Sequence, residues 1–122
     1  MKLLEQQNSS VELIFAPIDV HINLETIVQS DILLILPKNQ QHIQTDGFHG
    51  IPDIIVEILS PSNKSLDLKT KKALYCKHQV KEYVIFDPEK GSIVSYYLSN
   101  SYQKIVNQSV IKSELLGIDI LF

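Results

Sequence analysis

A chain of 122 residues with 44% hydrophobic side chains is long enough to bury one core and leaves little room for a second, so a single domain over 1–122 is expected. A net charge of −3 and a pI near 5.7 exclude the overall basic field of an obligate nucleic-acid binder. Every Lys/Arg position is lysine, so the bidentate guanidinium grip that reads guanine is missing, and the lone cysteine, Cys76, excludes an internal disulfide.

The polar start, residues 1–9, is expected to fray. It lacks the apolar core of a signal peptide, and no run approaches the roughly 18 apolar residues of a membrane span. The chain therefore reads as soluble, unexported and cytoplasmic, with no membrane partner. Val11 to Ala16 and Asp19 to Leu24 read as two extended segments broken at Pro17. In the second, Ile18, Val20, Ile22 and Leu24 alternate with Asp19, His21 and Asn23, the pattern of a half-buried strand. Asp31 to Pro37, DILLILP, is apolar almost throughout, as a strand covered on both faces should be. KNQQHIQTDGFHG has no apolar period and two glycines, and is expected to be a loop or lid.

IPDIIVEILSPS, Ile51 to Ser62, reads as a buried strand that nonetheless carries Asp53 and Glu57. Ser62 or Ser65 can cap the helix that follows, with Asp67 in its first turn, and this helix is expected to end near His78. KEYVIFDP is a further strand, so a strand–helix–strand unit with parallel strands forms the centre. Antiparallel additions follow at Ile93 to Leu98 and Tyr102 to Val106, and SELLGIDILF closes the fold. The expected class is α/β (α+β) with a mixed central sheet.

An unpaired buried carboxylate is costly, so the acids need partners. Asp53 and Glu57 share a face but stand about 13 Å apart at ~3.3 Å per residue, too far for one metal. An antiparallel pairing of the two apolar strands brings Asp31 beside Glu57 and leaves Asp53 at the other end. Two converging carboxylates form a hard oxygen site suited to Mg²⁺. The competing explanation is that Asp31 merely starts a strand after a turn, while Glu57 pairs with a lysine.

On the helix, Lys71 falls between Leu68, Leu74 and Tyr75, a cation within the apolar stripe, while Lys69, Lys72 and Lys77 lie to one side. Lys71 can neutralise a phosphate or orient an attacking water; alternatively it snorkels along the core edge or pairs with Asp67. Residues 64–81 carry a charge of +5, leaving −8 elsewhere, which suits either electrostatic steering of a polyanion or a plain solvated face. His21, His42, His49 and His78 show no spacing typical of zinc, although His49 precedes the acid-bearing strand closely enough to reach the same cleft. Cys76 has no evident base and reads as an inert thiol.

PDIIVEILSPSNKSLDLKTKKALY followed by VKEYVIFDPEKGSIVSYY resembles the Uma-type restriction endonuclease family of the PD-(D/E)XK nuclease superfamily, and the likeness extends from FAPIDVHIN to GIDILF. The resemblance implies a restriction-endonuclease-like fold and hydrolysis of nucleic-acid phosphodiesters, DNA foremost, with Mg²⁺ or Mn²⁺. It assigns Asp31, Asp53, Glu57 and Lys71 to catalysis, with Asp31 and Glu57 as the metal ligands and the lysine moved onto the helix. Leu59 stands where the pattern has lysine, and Ser30 where it has proline. The N-terminal helical region of the family is missing, which implies a fragment, a catalytically degenerate copy acting as a binding module, or an obligate homo-oligomer, foremost a dimer, covering the bared face.

Overall fold

The computed structural model describes residues 11–60, 66–108 and 110–121. The expected fraying of 1–9 and the helix caps at Ser62 and Ser65 lie outside them. Eight strands form one mixed sheet in the order β3-β4-β1-β2-β5-β6-β7-β8: β1 (Glu12–His21), β2 (Ile27–Ile35), β3 (Ile43–Gln44), β4 (Gly47–His49), β5 (Ile54–Ile58), β6 (Glu82–Asp87), β7 (Ser92–Tyr97) and β8 (Ile105–Gln108). β9 (Val110–Ser113) and β10 (Ile118–Leu121) make a separate antiparallel hairpin, and α1 (Leu66–Lys77) connects β5 to β6. None of the described helices is long and apolar enough to cross a membrane.

β5 and β6 run parallel, as the crossover through α1 requires, while β2 pairs antiparallel with β5 in the register Ile32↔Val56, Leu33↔Ile55 and Leu34↔Ile54. The two faces of these central strands bury separate cores. Leu33, Ile35, Ile55, Tyr83 and Ile85 pack beneath α1 with Tyr75 of the helix, whereas Ile32, Leu34, Ile54, Val56 and Val84 pack beneath the β9–β10 hairpin with Ile111. This explains why β2 and β5 read as continuous apolar runs: alternation vanishes where both faces are covered. On α1 the inward side is Leu68, Lys71, Lys72 and Tyr75, with Leu74 half-buried, and the outward side is Lys69, Thr70, Ala73, Cys76 and Lys77.

Several local expectations are altered by tertiary contacts. β1 is continuous through Pro17, but its register to β2 slips between Phe15 and Ile18, so two β1 residues oppose Asp31 alone. A proline has no N–H for the ladder, and a bulge accommodates it. Leu24 is fully exposed because the chain turns at 23–25 before the strand pattern runs out. The polar segment expected to be a loop or lid is a 3-10 turn (Pro37–His42) followed by the β3–β4 hairpin, which pairs through β4 with β1 at the sheet edge. Tyr102 precedes its strand, with positive φ in a turn, and its buried hydroxyl donates to the Val80 carbonyl.

Glu82 at the start of β6 is buried on the hairpin side and accepts the Ser113 hydroxyl (2.8 Å) and the Leu115 N–H (2.7 Å). Burial raises its carboxyl above the usual glutamate range, and these two donors oppose the rise. Glu82 is therefore the polar clamp between the sheet and the closing hairpin. Replacement by alanine strands two buried donors, and we expect Glu82→Ala to lower unfolding free energy by about 2 kcal/mol. Urea denaturation measures it, and an unchanged midpoint would remove Glu82 from that role.

Candidate active site

The site forms where β2 loses its neighbours on both sides. Toward β1 the bulge leaves Asp31 without a rung, and toward β5 the ladder ends at Ile32↔Val56, one step short of Asp31 and Glu57. Here side chains replace carbonyls. The Asp31 N–H donates to Glu57 Oε1 (3.1 Å), and the Ile58 N–H donates to Asp31 Oδ2 (2.7 Å), so each acid takes a backbone donor from the opposing strand. The two strands are thus held apart at a fork whose prongs carry the carboxylates.

α1 closes the fork from above. Lys71 Nζ donates to Glu57 Oε2 (2.5 Å) and to the Gln29 carbonyl (2.6 Å), with side-chain exposures of 16% for Lys71 and 7% for Glu57. Next to it the Tyr75 hydroxyl meets Ser30 Oγ at 3.2 Å, a second tie between helix and β2. Tyr75 also packs edge-on against Tyr83 (4.8 Å between centroids), which fixes the rotation of the helix and hence the aim of Lys71. Lys71 sits within the apolar stripe because its ammonium has a buried carboxylate to reach, and the methylenes cover the core edge on the way.

Asp53 lies four residue pairs away, level with Ile35, and its carboxylate is spent on the chain leaving β2: Oδ2 accepts the Leu36 N–H (2.8 Å) and Oδ1 accepts the Asn39 amide (2.9 Å). The structure therefore brings Asp31, Glu57 and Lys71 together and leaves Asp53 apart, holding the 3-10 turn. Lys72, which the helical wheel groups with the solvated lysines, is half-buried with its ammonium 4.6 Å from the Tyr96 ring centre. The wheel could not reveal this, because Tyr96 arrives from β7. From there a groove beside α1 is lined by Leu59, two residues past Glu57, and by Lys69, Lys72, Lys90 and Lys104.

A second group of ligand-type side chains, His21, Asp46 and His49, lies away from this fork. Their sequence spacing gave no hint of it, since the parallel pairing of β1 with β4 sets His21 beside His49. Val20 and Phe48 are in the core under α1, so alternation turns these two histidines to the opposite face, and His49 does not share the acid cleft.

A family model described as "Putative restriction endonuclease" matches residues 2–119. The chain belongs to the Uma2 family. A solved structure of "a putative nuclease belonging to DUF820" from Anabaena variabilis ATCC 29413 superposes with a TM-score of 0.73 at 13% identity, over 95% of this chain and 66% of that one. That likeness establishes a shared fold, and this Uma2 chain spans just under two thirds of that structure's length. No curated protein matches the chain.

Burial raises the Glu57 carboxyl above its ordinary value of 4.5; the Lys71 ammonium and the Asp31 N–H oppose the rise, and the Asp31 charge adds to it. Below pH 4.5 the group is protonated in folded and unfolded chains alike. As pH climbs past that value the unfolded chain ionises first, so the folded state holds the extra proton and stability falls through the window. Glu82 adds a slope of the same sign. Glu57→Gln should leave only the Glu82 share, a visibly shallower decline in denaturation midpoints measured from pH 4 to 7. Profiles that run parallel would mean that Glu57 ionises as in the unfolded chain.

Proposed function

We propose that this chain is a metal-dependent nuclease whose centre is Asp31, Glu57 and Lys71, acting on nucleic-acid phosphodiesters. The observation that carries the reading is the fork: two carboxylates from adjacent strands meet at the place where both ladders of β2 are interrupted, with an ammonium group over them. The donor set is hard oxygen, and Mg²⁺ or Mn²⁺ accepts one or two carboxylates and fills the rest of its shell with water and phosphate oxygens. Oδ1 of Asp31 accepts no hydrogen bond among the described residues, which leaves it for a cation, and Glu57 would complete the pair. A cation held there supplies positive charge to a phosphoryl oxygen and acidifies a bound water.

The protein's own groups divide the remaining work. Asp31 and Glu57 would hold and orient the cation, and the Lys71 ammonium, which lies against Glu57 Oε2, would place its charge toward the phosphate. Asp53 serves as a positioning residue for the chain that leaves β2. The groove lined by Lys69, Lys72, Lys90 and Lys104 supports a polyanionic backbone as substrate, and the absence of arginine favours phosphate contact over base reading. DNA as that substrate, a cytoplasmic setting, one domain over 1–122 and a homodimeric state belong to the same proposal.

One observation favours a second reading: the acids are already satisfied by backbone donors and by Lys71. A catalytically silent module would keep such a latch for its shape alone. Incubation of plasmid, single-stranded DNA and RNA with Mg²⁺ or Mn²⁺ separates the two. We expect cleavage that falls on the order of 100-fold in Asp31→Asn, Glu57→Gln and Lys71→Met. Mg²⁺ should also raise the melting temperature of the unsubstituted chain by mass action and not that of Asp31→Asn. Cleavage indifferent to all three substitutions rejects the site, and absence of both cleavage and Mg²⁺ stabilisation selects the silent module.

A further inference from the structure

The edge of the sheet farthest from β8 holds two histidines whose arrangement the nuclease reading does not use. His21 ends β1 and His49 ends β4; the strands run parallel in register, and the rings stack with centroids 4.1 Å apart and planes 3° from parallel. Asp46, in the turn between β3 and β4, faces both. His49 Nε2 is 2.7 Å from Asp46 Oδ1, and His21 Nε2 is 3.9 Å from Oδ2 and 3.3 Å from the Asp46 carbonyl oxygen. One ligand atom from each of the three lies within 4.8 Å of the others. Tetrahedral ligands at about 2.1 Å from one Zn²⁺ stand about 3.4 Å apart, so the set closes when the His49 ring, 41% exposed, turns out of the stack and both rings aim a nitrogen at one point.

The backbone holds the three in place independently of any ion. Gly47, next to Asp46, has φ +135°, and a Cβ there would lie 2.1 Å from the Asp19 carbonyl oxygen. Only glycine lets the turn approach β1 so closely, and that approach is what sets Asp46 beside His21. On the other side the Gly50 N–H donates to the His21 carbonyl (2.9 Å). The ion pair alone gives little reason for the arrangement, since Asp46 is 64% and His49 41% exposed, and solvent screens such a pair.

We propose that His21, Asp46 and His49 bind a divalent transition metal of the zinc class, which clips the β3–β4 hairpin to the end of β1. Two imidazoles and one carboxylate select Zn²⁺, Co²⁺ or Ni²⁺ over Mg²⁺, in contrast to the all-oxygen fork on the other face. Three protein ligands leave a fourth position for water. Bound in this way the ion crosslinks three segments at the edge of the sheet, where short strands have few other contacts to hold them.

Calorimetric titration of the full chain with ZnCl₂, in excess Mg²⁺ to occupy the acids, tests the site. We expect one Zn²⁺ per chain, with affinity lowered at least about tenfold in each of His21→Gln, His49→Gln and Asp46→Asn, and retained in Glu57→Gln. His49 and Asp46 are exposed enough that their variants keep the fold, which far-UV circular dichroism without metal verifies, so the test stands even if His21→Gln does not fold. Absence of Zn²⁺ binding, binding that survives His49→Gln and Asp46→Asn, or binding lost in Glu57→Gln would each overturn the proposal.

Discussion

The contact between Glu57 and Lys71 is the constraint on which the arrangement around the fork depends. A carboxylate inside a sheet is tolerable only when donors meet it, and those of Glu57 come from two elements at once, the Asp31 N–H of β2 and the ammonium of α1. The first donor opens the β2–β5 ladder, and the second fixes where the helix must lie. Tyr75 on Ser30 and Tyr83 then sets its rotation. Removing the acid would leave an ordinary pair of strands; keeping it produces a fork with charge on both prongs.

The opposite face solves the same problem in a different way. Glu82 is equally buried but meets a hydroxyl and a backbone N–H with no cation, so it fastens the β9–β10 hairpin to the sheet. Both glutamates are pushed toward the neutral form by burial and by a nearby carboxylate, Asp31 for Glu57 and Glu114 for Glu82, yet among the described residues it is Glu57 that also has an ammonium against it. A perturbed acid points to chemistry only in that company. Asp53 illustrates the converse, since its oxygens are taken by Leu36 and Asn39 and its work is to shape the exit from β2.

Much of this could be read along the chain because the deciding signals are local. Two apolar runs announced buried strands, the intervening helix required β5 and β6 to be parallel, and antiparallel pairing of the runs placed Asp31 opposite Glu57. Lys71 stood out on the wheel because a cation in an apolar stripe needs a buried anion. The KNQQHIQTDGFHG stretch misled because its two short strands are too brief to show a period, and they are held by pairing with each other and, through β4, with β1. Lys72 was misplaced for a similar reason: its partner, Tyr96, belongs to a strand more than twenty residues away.

What the residues alone determined is therefore the kind of element along the central runs and the register that follows from burying their apolar side chains, since a slip by one position would turn the core outward. Membership of the Uma2 family was likewise legible, through the resemblance that PDIIVEILSPSNKSLDLKTKKALY and VKEYVIFDPEKGSIVSYY bear to it. Tertiary structure alone decided which polar atoms meet. The bulge opposite Asp31, the separate employment of Asp53 and the stacking of His21 on His49 all arise where backbones distant in sequence come within hydrogen-bonding reach, and no pattern along one strand specifies the partner across the gap.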